Sequence, residues 1–189
     1  MIQSPTVTQA SDRALVLYAF SRRAAIELAL GEVGDDPRRF AQAERARVET
    51  QRWLDRESLV AAVTPLERSL LEGPSGSWPR QAVVDGMWRK ESLGALLWAL
   101  RHVAQLPPFG DEFEVAVLNE RIEAYGSVSS FRANGSLRQA EELERAWQEA
   151  DAWFAATEDA EGDDAALASI SAERVRALSW LRDREAEPA

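Results

Sequence analysis

Apolar residues recur at three- and four-residue steps along almost the whole chain, and no stretch alternates apolar with polar positions beside hairpin chemistry, so the pattern predicts an all-α fold. A first helix over 11–30 carries Leu15, Tyr18, Ala19, Ile26 and Ala29 or Leu30 on one face and ends at Gly31 and Gly34. Pro37 opens a second helix to about Arg56, with Phe40, Ala43, Trp53 and Leu54 on its apolar side. Thr64-Pro65-Leu66-Glu67 has the cap, proline and returning glutamate of a capping box, and the short helix it starts is broken by Gly73-Pro74-Ser75-Gly76-Ser77. The fourth helix, over 79–106, reads as the longest and stops at Pro107-Pro108. Asp111-Glu112-Phe113-Glu114 repeats the capping pattern before Val115, Leu118, Ile122 and Tyr125, and a Ser/Gly/Asn-rich link covers 126–135. Ser136 with Gln139 opens a sixth helix to about Thr157, and Ser171 caps a last one bearing Val175, Leu178 and Leu181. The expectation is one domain over 10–185, a bundle of about six to seven helices around a long central helix at 79–106, with flexible termini at 1–9 and 186–189.

Placed at 100° per residue, Val84, Trp88, Glu91, Ala95, Trp98 and His102 share one stripe of the fourth helix, while Leu93, Leu96, Leu97, Leu100 and Val103 cover the other side. A helix apolar on two sides belongs in the middle of a bundle. Glu91 is then a carboxylate between two tryptophans, and burial obliges it to find a cation or stay protonated. Two readings follow. Trp88, Glu91, Trp98 and His102 line a pocket in which Glu91 is an acid or base assisted by His102, or Glu91 belongs to a core ion pair with Arg13 or Arg176.

The string Trp88-Arg89-Lys90-Glu91-Ser92-Leu93-Gly94-Ala95-Leu96-Leu97-Trp98-Ala99-Leu100 resembles the W-R-x-E-x-L-x-x-L-L-W-A-L core of a bacterial family, the domain of unknown function numbered 4272. Thr64-Pro65-Leu66-Glu67 after Trp53 resembles that family's L-[ST]-P-x-E helix start. Leu106-Pro107 resembles its L-P, and Arg176-Ala177-Leu178-Ser179-Trp180-Leu181 its closing R-A-L-x-W-L. The resemblance spans roughly residues 10 to 182. It implies a helical, cytoplasmic bacterial protein and no activity.

Composition then closes several chemistries. The 189 residues include no cysteine and one histidine, which excludes disulfide scaffolds, thiolate zinc sites, thiol nucleophiles and any site of two imidazoles. Net charge of −10, from 22 basic and 32 acidic residues, disfavours nucleic acid as a partner. The acidic run with Asp159, Glu161, Asp163 and Asp164 has its glycine at the wrong place for a calcium loop and no glutamate at the twelfth loop position, and reads as solvated. Gly73-Pro74-Ser75-Gly76 lacks the strand-turn-helix setting of a nucleophile elbow, and no glycine loop suits a phosphate, so no cofactor or metal is expected. The first apolar run, Ala14 to Phe20, is seven residues between arginines, too short for a signal peptide or a membrane span, and a cytoplasmic location is expected.

Arg38, Arg45, Arg52 and Arg56 fall within a narrow arc of the second helix, in a segment with six arginines against three acids. That arc either docks an anionic partner or is a solvated face paired through Glu49. Trp78, between Ser77 and Pro79, is either an exposed anchor or a buried lid. The expected function is a non-catalytic protein-binding or regulatory module with a protein partner, in its more specific form an acidic inhibitor of a basic protein, with a homodimer through an apolar helix face as a further option. The alternative is a small-ligand binder or enzyme with a tryptophan-lined pocket and Glu91 as acid or base.

Overall fold

The computed structural model describes residues 4–33, 36–158 and 165–183. Among these residues regular structure is entirely helical: α1 (Val7–Val33), α2 (Pro37–Arg56), α3 (Pro65–Glu72), α4 (Arg80–Ala99), α5 (Val115–Glu123), α6 (Val128–Asn134), α7 (Ala140–Thr157) and α8 (Ala165–Arg182), with one 3-10 turn at Val60–Ala62. The fold is an all-α bundle, as the periodicity predicts. No helix among the described residues is long and apolar enough to cross a membrane.

α4 explains the arrangement. Every residue from 91 to 100 is buried, so this stretch needs neighbours on all sides, and α1 and α8 supply them. α2 lies on the far side of α1 and α7 on the far side of α8. The helices therefore run in the packing order α2, α1, α4, α8, α7, with α2 and α7 at its ends.

Several boundaries differ from the expectation. α4 is central but not the longest helix: it has 20 residues against 27 in α1, and it ends at Ala99 rather than near Leu106. The stop is a Schellman turn. The His102 amide donates to the Leu97 carbonyl (2.9 Å) and the Arg101 amide to that of Trp98 (3.0 Å), with Arg101 at φ 64°. A left-handed arginine is not a stop signal in sequence, whereas Pro107-Pro108 is, and the proline was therefore the wrong landmark. The link over 126–135 holds α6, started by Ser127, whose hydroxyl accepts the Ser130 amide at 3.1 Å; this is the additional helix beyond seven. Ser171 caps nothing: it lies within α8, buried, and its hydroxyl donates back to the Leu167 carbonyl (2.9 Å). Asp111 does not cap α5, whose N-cap is Glu114 without a side-chain bond. The capping box of Thr64 and Glu67 is present in both directions. Gly34 and the acidic positions Asp159, Glu161, Asp163 and Asp164 lie outside the described residues.

Candidate functional site

Glu91 and Arg174 are both 0% exposed and meet at the centre of the bundle. Arg174 Nε and Nη2 donate to Glu91 Oε2 at 3.0 and 2.8 Å, and the Phe113 amide donates to Oε1 at 2.8 Å. The remaining guanidinium donors go to the Pro107 carbonyl (2.9 Å) and the Asp111 carbonyl (2.7 Å), and the group lies 5.2 Å from the ring centres of both Phe109 and Phe113. Burial pushes the Glu91 carboxyl above its ordinary range, and the Arg174 charge and the Phe113 amide pull against it. The partner of Glu91 is thus Arg174, not Arg13 or Arg176. Arg13 is bonded to Glu67 (2.6 Å, both buried) and Arg176 to Glu173. The pair holds down the 107–113 segment, which has no helix of its own.

Two other buried pairs do the same for other loops. Arg13 also donates to the Ala62 carbonyl (3.0 Å), fastening the turn before α3. Burial would raise the Glu67 carboxyl, but the bonds and charge of Arg13 outweigh this and hold it below its ordinary range. Arg23 and Glu27, on one turn of α1, bracket the 73–78 loop: Arg23 donates to the Pro74 carbonyl (3.0 Å), and Glu27 accepts the amides of Gly76 (2.9 Å) and Trp78 (3.2 Å).

The expected stripe of Trp88, Glu91, Trp98 and His102 does not form a pocket wall. His102 lies past the end of α4, buried, with Nδ1 2.7 Å from the Tyr125 hydroxyl and its ring 4.4 Å from that of Phe131. Burial lowers its pKa, and Nε2 has no hydrogen-bond partner. Trp98 is buried under the Arg138 guanidinium (4.6 Å), and Trp88 is half-buried beside Lys90 (5.3 Å). Trp78, offered as a partner-binding anchor, is buried: its indole donates to the Leu70 carbonyl (2.8 Å) and its ring lies 4.9 Å from that of Phe20. It is a lid, because the bracket on its loop turns it inward.

Arg38, Arg45, Arg52 and Arg56 are all exposed on the side of α2 away from α1. Pairing through Glu49 is absent. Arg56 is bonded to Glu57 (3.1 Å), while Arg38, Arg45 and Arg52 make no ion pair with the described residues. The charge balance also shifts along the chain. Residues 1–110 hold 14 basic and 13 acidic side chains, and residues 111–189 hold 8 and 19. On α7, Glu141, Glu149 and Asp151, and at its C-cap Glu158, are exposed and unpaired among the described residues. Trp153 on the same helix is 45% exposed and stacks on Phe109 at 5.8 Å. Sequence reasoning missed Trp153, whose exposure depends on the 107–113 segment.

Several clefts open on the surface of the described residues, and two of them are larger than the cleft of about 330 Å³ beside Leu71. One, of about 450 Å³, lies between α1, α2 and α6 and is walled by Tyr18, Arg22, Arg47, Trp53 and Phe131. Tyr18 there donates to Glu123 (2.7 Å) and accepts from Arg22 (2.6 Å). The other, of about 1030 Å³, runs between α1, the turn before α3, the start of α4 and Trp180 of α8. Its walls are mainly apolar, including Phe20, Val63, Leu66, Ala82 and Trp180, with the Arg13–Glu67 pair and Asp85 at its edges. Leu66 stands 68% exposed at its rim. None of Trp88, Glu91, Trp98 and His102 borders either cleft. Among the described residues no group of three His, Asp or Glu side chains could hold a metal ion.

No curated protein and no solved structure matches the chain. A family model described as Domain of unknown function (DUF4272) matches residues 2–188.

Proposed function

The chain belongs to the DUF4272 family across nearly all of its length, and from that premise we propose a non-catalytic protein-binding module whose large cleft seats an apolar segment of a partner protein. The observation that carries this reading is the cleft of about 1030 Å³ with Leu66 exposed at its rim. Exposed apolar surface beside a preformed concavity is costly in water and is recovered when a partner covers it. Chemistry is not part of the proposal: the Arg13–Glu67 pair at the cleft edge is engaged with itself. Glu67 accepts two bonds from Arg13 and one from the Thr64 amide, so its charge is already matched within the molecule.

The partner segment is apolar with a cation at one end. Asp85, exposed at the cleft edge, has only Gln81 as a bonded neighbour (2.8 Å), and the chain as a whole carries −10. A cytoplasmic setting belongs to the same proposal, in keeping with a first apolar run of seven residues between arginines.

The test is the native mass of the protein isolated gently from its own host, compared with Ala82→Trp, which fills the cleft, and Asp85→Arg, which reverses its rim. A stoichiometric polypeptide that accompanies the parent and is lost from both variants is the expected result. A bound small molecule displaced by Ala82→Trp would replace the proposal with the ligand-binding alternative. A companion retained by both variants would move the interface elsewhere.

A further inference from the structure

The two ends of the helix row carry charges that match in spacing as well as in sign. On α2, Arg38, Arg45 and Arg52 recur every seven residues, a stripe with about 10.5 Å between successive side chains at 1.5 Å per residue. On α7 and its C-cap, Glu144, Asp151 and the capping Glu158, whose backbone is still right-handed helical, recur every seven residues and repeat that interval. The basic stripe points away from the bundle, as do Asp151 and Glu158, while Glu144 lies at the α8 side of α7. The three arginines are exposed and have no ion pair among the described residues, and the same holds for Asp151 and Glu158. Glu144 is bonded to Arg182 at 2.7 Å and remains 41% exposed. Small residues flank each stripe, Ala41 on α2 and Ala152 and Ala155 on α7, all exposed, so a second helix can come close. Glu49 interrupts the basic stripe and Arg145 borders the acidic one, and neither reverses the local sign.

We infer that the α2 face of one molecule docks on the α7 face of a second copy of this chain. The middle pair is Arg45 with Asp151 whether the two helices run parallel or antiparallel, because both stripes have three members at one spacing. The outer pairs exchange between Glu144 and Glu158. Since α2 and α7 end the packing order on opposite sides, the contact joins unlike surfaces, and each added molecule presents a fresh α2 and a fresh α7. Association is therefore not limited to two copies. It is also weak, because solvent-exposed ion pairs contribute little individually and one helix pair covers less surface than a stable dimer requires. Salt weakens it further, since screening acts over about 8 Å at physiological ionic strength. The inference uses no residue of the large cleft and stands apart from the partner proposed there.

Sedimentation of the whole protein at low salt, up to about 1 mM, tests it. The expected result is an average mass that rises with concentration without levelling at two copies, and that returns to one copy in molar salt. Arg45→Glu/Arg52→Glu and Asp151→Arg/Glu158→Arg change only exposed side chains, so both keep the parent's melting temperature. Each is expected to lose association by at least about tenfold. Mixed together they associate again, because each supplies the face that the other needs. A parent that stays monomeric throughout, a mass that levels at two copies, a variant that associates like the parent, or a mixture that stays monomeric would each overturn the inference.

Discussion

Replacing Glu91 with glutamine removes one negative charge and almost no volume, so its effect isolates what that charge does for Arg174. In the parent the guanidinium is fully buried and has one carboxylate partner, with carbonyls of the 107–111 segment taking its other donors. Glutamine keeps an oxygen for one of those donors but leaves a full positive charge uncompensated in the core. Breaking a buried pair in this way costs about 3–5 kcal/mol, well beyond the roughly 1 kcal/mol of a lost neutral hydrogen bond. Unfolding free energies are typically about 5–15 kcal/mol, so a large share of the stability is at stake. For a chain of this length each kcal/mol moves the midpoint by about 2–4 °C, so the melting temperature should fall by about 6–20 °C. Circular dichroism against temperature and urea, with the slope unchanged, is the assay. Glu91→Leu/Arg174→Met, which removes both charges, should be less damaging than Glu91→Gln, although the freed carbonyls of Pro107 and Asp111 keep it below the parent. A Glu91→Gln loss under about 1 kcal/mol, or a double variant as unstable as the single one, would refute the claim that this charge pair governs the core.

Three further outcomes are expected. Gly94 of α4 lies beneath Phe113, whose ring atoms a β-carbon would overlap; Gly94→Ala should cost about 1–3 kcal/mol in urea melts by overpacking, and an unchanged midpoint would show that the 107–113 segment yields freely. Arg101 holds a left-handed backbone at φ 64°, so Arg101→Gly should raise stability by about 0.5–1 kcal/mol despite losing an exposed bond to Glu142, and a lower melting temperature would contradict this. Because burial puts the folded pKa of His102 below the ordinary 6.5, the unfolded chain takes up the proton first. Stability held above pH 6.5 is then lost as pH falls beneath that value. Urea melts at about pH 7.5 and about pH 5.5 should show a smaller loss for His102→Gln than for the parent, and equal losses would place the pH dependence in other groups.

Helix existence was legible from periodicity because each long helix buries at least one face against a neighbour, and the middle of α4 buries every face. Boundaries were legible where a side chain sets them, as at Thr64 and Pro37, and illegible where tertiary contacts do. α4 ends on a left-handed arginine that no rule reserves for that place, and Ser171 resembles a cap yet points into the contact between α8 and α7, where its hydroxyl lies 3.0 Å from that of Thr157. The need of Glu91 for a cation followed from burial alone, but its partner was misassigned. Periodicity held the signal: Arg174 stands four residues after Ile170 and three and four before Ala177 and Leu178, at the middle of the buried face of α8, whereas Arg176 lies off that face. A charged residue in the centre of an apolar stripe was a stronger candidate than one at its edge. The large cleft had no signature, since its walls come from four separate segments, and neither did the exposure of Trp153.

Arg174 follows Glu91 by 83 positions, and a ribosome makes them in that order. At about 5–20 residues per second, the interval is about 4–17 s. Throughout it, α1 and α4 can pair while α8 is missing from the other flank of α4 and Glu91 lacks its arginine. The nascent chain thus spends seconds as an incomplete bundle with an apolar flank open to chaperones and to neighbouring polysomes. Completion of the fold waits on the arrival of one arginine.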